Sequence, residues 1–167
     1  MVKSIIINNK EYKIIKLIGH GKGGYSYLAK TDDSLVVLKQ IHHEPCDYYS
    51  FGNKIEAELY DYQRLINAQI RIPKMIDFDK EKEIIIKEYI EGKTISELIE
   101  NNEDVHQYIE QVKEMARLAK EKSLNIDYYP TNFAVRDGVL FYIDYECNDY
   151  SEEWNFDNWG IKHWIKS

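Results

Sequence analysis

With 167 residues, 44% of them hydrophobic, the chain is long enough for one sizeable core, and a domain of this length buries roughly 70% of its unfolded surface. A formal net charge of -7 argues against a surface built to grip nucleic-acid phosphates. No apolar run approaches the roughly 20 residues of a membrane span, and Met1 to Asn8 is too short a run for a secretion signal, so a soluble cytoplasmic protein without membrane contacts is expected.

Short β-rich segments come first: Tyr12 to Ile18, Tyr25 to Lys30, Ser34 to Ile41, Lys74 to Phe78 and Glu83 to Ile90. Their β-branched and aromatic residues, broken by Gly or by polar pairs such as Asp32-Asp33, predict an antiparallel meander. Between the third and fourth segments, Ile55, Leu59, Tyr62, Leu65 and Ile66 recur at helical spacing and predict a helix over Asn53 to Asn67. Cys46, in the link before it, and Cys147 have neither zinc-site spacing nor the density of a disulfide scaffold, and read as reduced thiols.

After Gly92 the period turns helical. Thr94-Ile95-Ser96-Glu97 reads as a capping box, and Val105, Tyr108, Ile109, Val112, Met115, Ala116 and Ala119 form the buried stripe of a longer helix. Phe133 to Val135 and Val139 to Ile143 flank Asp137-Gly138, a strong hairpin signal. A helix is expected from Trp154 to Ile165, its aromatic residues covering the helical region as core. The fold class is thus α+β, a sheet region over residues 1–90 followed by a mainly helical region over 91–167.

Five separated elements carry the chemistry. Gly19, Gly21 and Gly24 form G-x-G-x-x-G between two predicted strands, a context that suits a β-hairpin folded over phosphates better than the strand-to-helix turn of a dinucleotide fold. Lys39 ends the run Val36-Val37-Leu38, where an ammonium group can meet α- and β-phosphates; an edge lysine in solvent would read the same way. Glu56 and Glu58 on the following helix are both placed to orient that lysine. Asp127 with Asn132 offers a carboxylate for an attacking hydroxyl and an amide oxygen for a metal, with Pro130 stiffening the loop. Asp144, closing the last apolar strand, completes an oxygen set suited to Mg²⁺.

In this order the elements resemble the protein-kinase-like superfamily over nearly the whole chain. The resemblance implies a bilobed fold binding ATP and Mg²⁺, with Gly19, Gly21, Gly24 and Lys39 on the phosphates and Glu88 to Gly92, including Ile90, as the hinge that meets adenine. It implies Asp127 as catalytic base and Asn132 and Asp144 as metal ligands. The stretch from Glu58 to Pro73 resembles small atypical kinases of the tRNA-modification complex, which favours Glu58 over Glu56 as the partner of Lys39.

The departures narrow the reading. Asn125-Ile126 stands where typical protein kinases carry His-Arg, and Tyr129 where serine/threonine kinases carry a lysine for the γ-phosphate. Asp144-Tyr145-Glu146 is similar to the Asp-aromatic-Glu of aminoglycoside and choline phosphotransferases, and with 23 residues following Asp144 neither an activation segment nor a peptide groove is expected. The pattern looks most like short bacterial kinases described as serine/threonine kinases. The expectation is transfer of a γ-phosphate to a hydroxyl acceptor, protein or small molecule; a nucleotide-binding pseudokinase working through a partner protein is the reading from another class.

Overall fold

The computed structural model describes residues 3–21, 23–44 and 53–165, so Lys22 and Cys46 lie outside the described residues. The chain is a mixed α+β protein that divides into two compact units. One comprises Met1–Ala57 and Pro73–Tyr89, the other Glu58–Ile72 and Ile90–Ser167. No helix among the described residues is long and apolar enough to cross a membrane.

The first unit is built on a six-stranded antiparallel sheet of β1 (Ser4–Ile7), β2 (Lys10–His20), β3 (Gly24–Thr31), β4 (Ser34–Ile41), β5 (Met75–Asp79) and β6 (Ile84–Glu88). Asn8 and Asn9 take positive φ angles of 49° and 68°, forming the tight turn that joins β1 to β2. β1 was not expected from the sequence. Four residues are too few to display a period, and only pairing with Lys10–Lys13 makes them a strand.

The spatial order is β1-β2-β3-β4-β6-β5, which corrects the expected meander. β5 lies at the edge and β6 turns back beside β4, because the chain between β4 and β5 travels through a helix rather than a short hairpin loop. The sheet curls until its edges meet. Asn8 Nδ2 donates to Asp77 Oδ1 at 2.7 Å, and Lys82 Nζ donates to the Ile6 carbonyl at 2.7 Å. Alternation then puts Val36 and Leu38 of β4 and Ile84 and Ile86 of β6 on the inner face, packed with Ile7, Tyr12 and Ala29.

Helix α1 (Lys54–Asn67) begins where Asn53 Oδ1 accepts the Glu56 N–H, and gives way to Gln69 at φ 64° before Pro73. Leu65 is fully buried, but Ile66, counted in the expected stripe, is 43% exposed: the face that is covered at Ile55, near the start of the helix, is open near its end.

In the second unit, α2 (Ile95–Glu100) carries the full capping box: the Thr94 hydroxyl accepts the Glu97 N–H, and Glu97 accepts the Thr94 N–H. α3 (His106–Glu121) buries Tyr108, Ile109, Val112, Met115 and Ala119. β7 (Leu124–Ile126) pairs with β10 (Cys147–Asp149), and β8 (Phe133–Arg136) pairs with β9 (Val139–Tyr142) across Asp137 and Gly138, both at positive φ.

The tail is not the continuous helix expected. A 3-10 turn (Glu152–Trp154) leads to a π-helical turn (Phe156–Gly160) and a short α4 (Ile161–Trp164). Close packing accounts for the break: a Cβ on Gly160 would lie 2.6 Å from Tyr128 Cβ, and the Trp164 indole N–H reaches the Tyr128 carbonyl at 2.7 Å. Phe156 and Trp164 are core, as expected of the tail aromatics, whereas Trp154 is 51% exposed.

Candidate functional site

The glycine-rich segment does form a hairpin between two strands, β2 and β3. Register shifts between Ile14 and Lys16 and between Leu17 and Gly19 bend β2 as it approaches the turn, and the Gly21 N–H closes onto the Gly24 carbonyl at 3.0 Å. The three glycines differ in what surrounds them. A Cβ on Gly24 would meet the Gln40 carbonyl oxygen at 2.7 Å and Lys39 Cε at 3.1 Å; one on Gly19 would find Ser26 Cβ at 3.6 Å; one on Gly21 would find nothing within 4 Å among the described residues. Packing inside the protein explains Gly24 alone.

Lys39 does not sit at the end of its strand. It is an interior residue of β4, opposite Ser26 of β3 and Ile85 of β6. Because Gly24 pairs with Ile41, the pleat places Lys39 diagonally next to Gly24 on the same face, and its aliphatic stem lies against that glycine. A half-buried lysine beneath a glycine hairpin is a different object from the edge charge that the sequence left open.

In the second unit the residues of the expected catalytic loop are gathered by bonds to the backbone. Asp127 follows β7 directly, and its Oδ1 accepts the Tyr129 N–H at 3.1 Å. Pro130 opens a 3-10 turn ending at Asn132, whose carbonyl accepts the Ile143 N–H at 2.8 Å and whose Nδ2 points back to the Asp127 carbonyl at 3.4 Å. Asp144 is therefore adjacent to a residue bonded to Asn132, and its own Oδ1 accepts the Tyr145 N–H at 2.9 Å. β9 ends at Tyr142, so Asp144 stands in the loop past the strand rather than closing it.

Tyr142 locks this arrangement. Its buried hydroxyl accepts the Asp127 N–H at 3.1 Å and donates to the Glu146 carbonyl at 2.8 Å, tying together the loops that carry Asp127 and Asp144. Burial, followed by the nearby Asp144 carboxylate, pushes this phenol well above the usual tyrosine range, so it remains a donor. Tyr129 is 46% exposed, and its ring lies 5.2 Å from that of His163.

Of the helix glutamates, Glu56 is exposed and paired with Lys80 at 2.7 Å, whereas Glu58 is half-buried. Glu88 ends β6 with its carboxylate accepting the Lys74 N–H, and Ile90 is buried at the start of the second unit's long segment. Gly92 is obligatory there: a Cβ would stand 1.8 Å from the Val135 carbonyl oxygen, where Lys93 and Thr94 join β8.

Two clusters escaped the sequence. Arg64 donates to Asp61 Oδ1 at 2.7 Å and to the Cys147 carbonyl at 3.1 Å, joining α1 to β10, and burial pushes the Cys147 thiol up to about 12. The second cluster lies at the glycine hairpin: His20, Tyr25, His42 and Glu44. Only the register that sets His20 opposite Tyr25, and Tyr25 opposite Gln40, brings these residues together, so spacing along the chain gave no signal. No protein-family model matches the chain.

Proposed function

We propose that the chain is an ATP-dependent phosphotransferase that moves a γ-phosphate to a hydroxyl acceptor, with a serine/threonine protein kinase as the leading form. The observation that carries this reading is the placement of the Lys39 stem against Gly24, in a hairpin where a Cβ on Gly21 would meet nothing within 4 Å among the described residues. Backbone N–H groups of such a turn and an ammonium from the sheet below make a donor set for polyphosphate, and Gly19 and Gly21 have no packing reason of their own.

The oxygen set of the second unit fits the other half of the chemistry. Asn132 and Asp144, whose backbone segments are tied by the bond from the Ile143 N–H to the Asn132 carbonyl, would supply the amide and carboxylate oxygens that a hard divalent cation takes together with phosphates. Mg²⁺ there would neutralise charge on the transferred group. Asp127, fixed at its backbone by Tyr142, is the residue to orient and deprotonate the acceptor hydroxyl. Glu88 to Gly92 are assigned to adenine, and of the two helix glutamates Glu58 is retained over Glu56, whose carboxylate is paired with Lys80. Positioning and charge stabilisation dominate such transfers, so little covalent chemistry is asked of the protein.

The exposed Tyr129, standing where the resemblance calls for a lysine, favours a second reading: a nucleotide-binding module acting through a partner protein. Calorimetric titration with ATP tests the shared premise. Saturable binding that needs Mg²⁺ is expected, weakened at least tenfold in Lys39→Ala and stripped of its Mg²⁺ dependence in Asp144→Ala. Equal binding by all three chains, or none by the wild type, removes both readings.

A further inference from the structure

We propose that His20, His42 and Glu44 form a zinc site that clasps the glycine-rich hairpin to the segment leaving β4. One ring nitrogen from each histidine and one carboxylate oxygen all lie within 4.8 Å of one another. Ligands at 2.0–2.2 Å in a tetrahedron stand about 3.3 Å apart. His20 Nε2 and Glu44 Oε1 are already at that spacing, 3.4 Å, so side-chain adjustment of about an ångström brings in His42.

Each ligand is already oriented by a second partner, which distinguishes the cluster from a chance meeting of surface groups. Tyr25 donates its hydroxyl to Glu44 Oε2, leaving Oε1 turned toward His20. The His20 ring stacks on Tyr25, with centroids 4.3 Å apart and planes 15° from parallel. His42 Nδ1 accepts the Glu44 N–H at 3.2 Å, so the ring proton resides on Nε2, which donates to the Gly21 carbonyl at 2.7 Å; a metal would take the Nδ1 lone pair in place of the Glu44 N–H and leave the Gly21 bond intact. Metal-bound histidines commonly carry that second bond to a backbone carbonyl, because it fixes the tautomer and raises the basicity of the other nitrogen. The Lys54 ammonium, buried, holds the His42 carbonyl and steadies the segment from behind.

Two imidazoles and a carboxylate suit a borderline divalent ion such as Zn²⁺ and leave a fourth position to water. They do not suit Mg²⁺, which takes oxygen ligands. His43, next in sequence to His42, pairs instead with Glu83 at 2.7 Å and stands outside the cluster. The clasp would hold the turn at Gly21 to the end of β4, whether or not that turn binds a nucleotide.

Titration of the whole chain with zinc chloride, without nucleotide and in excess Mg²⁺, decides the matter. One zinc per chain is expected. Binding weakens at least tenfold in His20→Ala, His42→Ala and Glu44→Gln, about tenfold in Tyr25→Phe through lost orientation, and less than twofold in His43→Ala and Cys46→Ser. Cobalt(II) gives a second readout: an intense visible band in the wild type, absent from the two ligand-histidine variants with unchanged circular dichroism. No stoichiometric zinc in the wild type, binding indifferent to His20 and His42, or binding lost with His43 or Cys46 overturns the proposal.

Discussion

A methyl group added at Gly24 and one added at Gly21 meet opposite surroundings, and the contrast separates folding from ligand binding. Gly24→Ala forces the Gln40 carbonyl away from a 2.7 Å contact, so a loss of about 1–3 kcal/mol is expected in urea unfolding. Gly21→Ala meets nothing within 4 Å among the described residues and has a permitted backbone, so stability is expected to stay within about 0.5 kcal/mol. Nucleotide affinity falls if the turn grips phosphates. Cys147 offers a chemical check on the second unit: buried, with its thiol pushed up to about 12, it has almost no thiolate near neutral pH. Peptide mapping after iodoacetamide treatment is expected to find Cys147 unmodified in the folded chain and modified in denaturant; rapid modification without denaturant contradicts its packing against Asp61 and Arg64.

At the scale of elements, local signals were legible where the backbone itself states them. The Thr94–Glu97 box opens α2 and the Asp137-Gly138 pair turns β8 into β9, because both depend on bonds within a few residues. Thr94→Ala removes the hydroxyl that accepts the Glu97 N–H, with about 1 kcal/mol expected to be lost in thermal or urea unfolding. Three short strands were not legible: β1, β7 and β10 have three or four residues each, and β1 is defined by its pairing with β2 while β7 and β10, far apart in sequence, are defined by each other. The tail misled for a related reason. Its aromatic spacing is helical, yet the contact of Gly160 with Tyr128 and the reach of Trp164 to the Tyr128 carbonyl divide it into turns of different pitch. Gly160→Ala is accordingly expected to destabilise the second unit by more than the roughly 1 kcal/mol typical of point substitutions.

At the scale of the whole molecule, the candidate chemistry is divided between two compact units, the glycines and lysine proposed for phosphate on the curled sheet and carboxylate and amide groups on the loops after β7 and β9. The residue types were legible because Asp127, Asn132 and Asp144 stand at loop positions flanked by apolar strands. Their supports were not: Tyr142 reads in the sequence as another strand aromatic, and only its buried hydroxyl between Asp127 and Glu146 reveals its function as a brace. The His20–Glu44 cluster depends on strand register in the same way. Phosphate transfer by Asp127 is the proposal on which the rest depends, and labelled ATP puts it to the test. Wild-type chain and Asp127→Asn are incubated with γ-labelled ATP, Mg²⁺ and cell lysate, and label is followed into protein and metabolite fractions. Transfer by the wild type, reduced at least 100-fold in Asp127→Asn as loss of a general base requires, is the expected result; ATP binding without Asp127-dependent transfer to any fraction would contradict it.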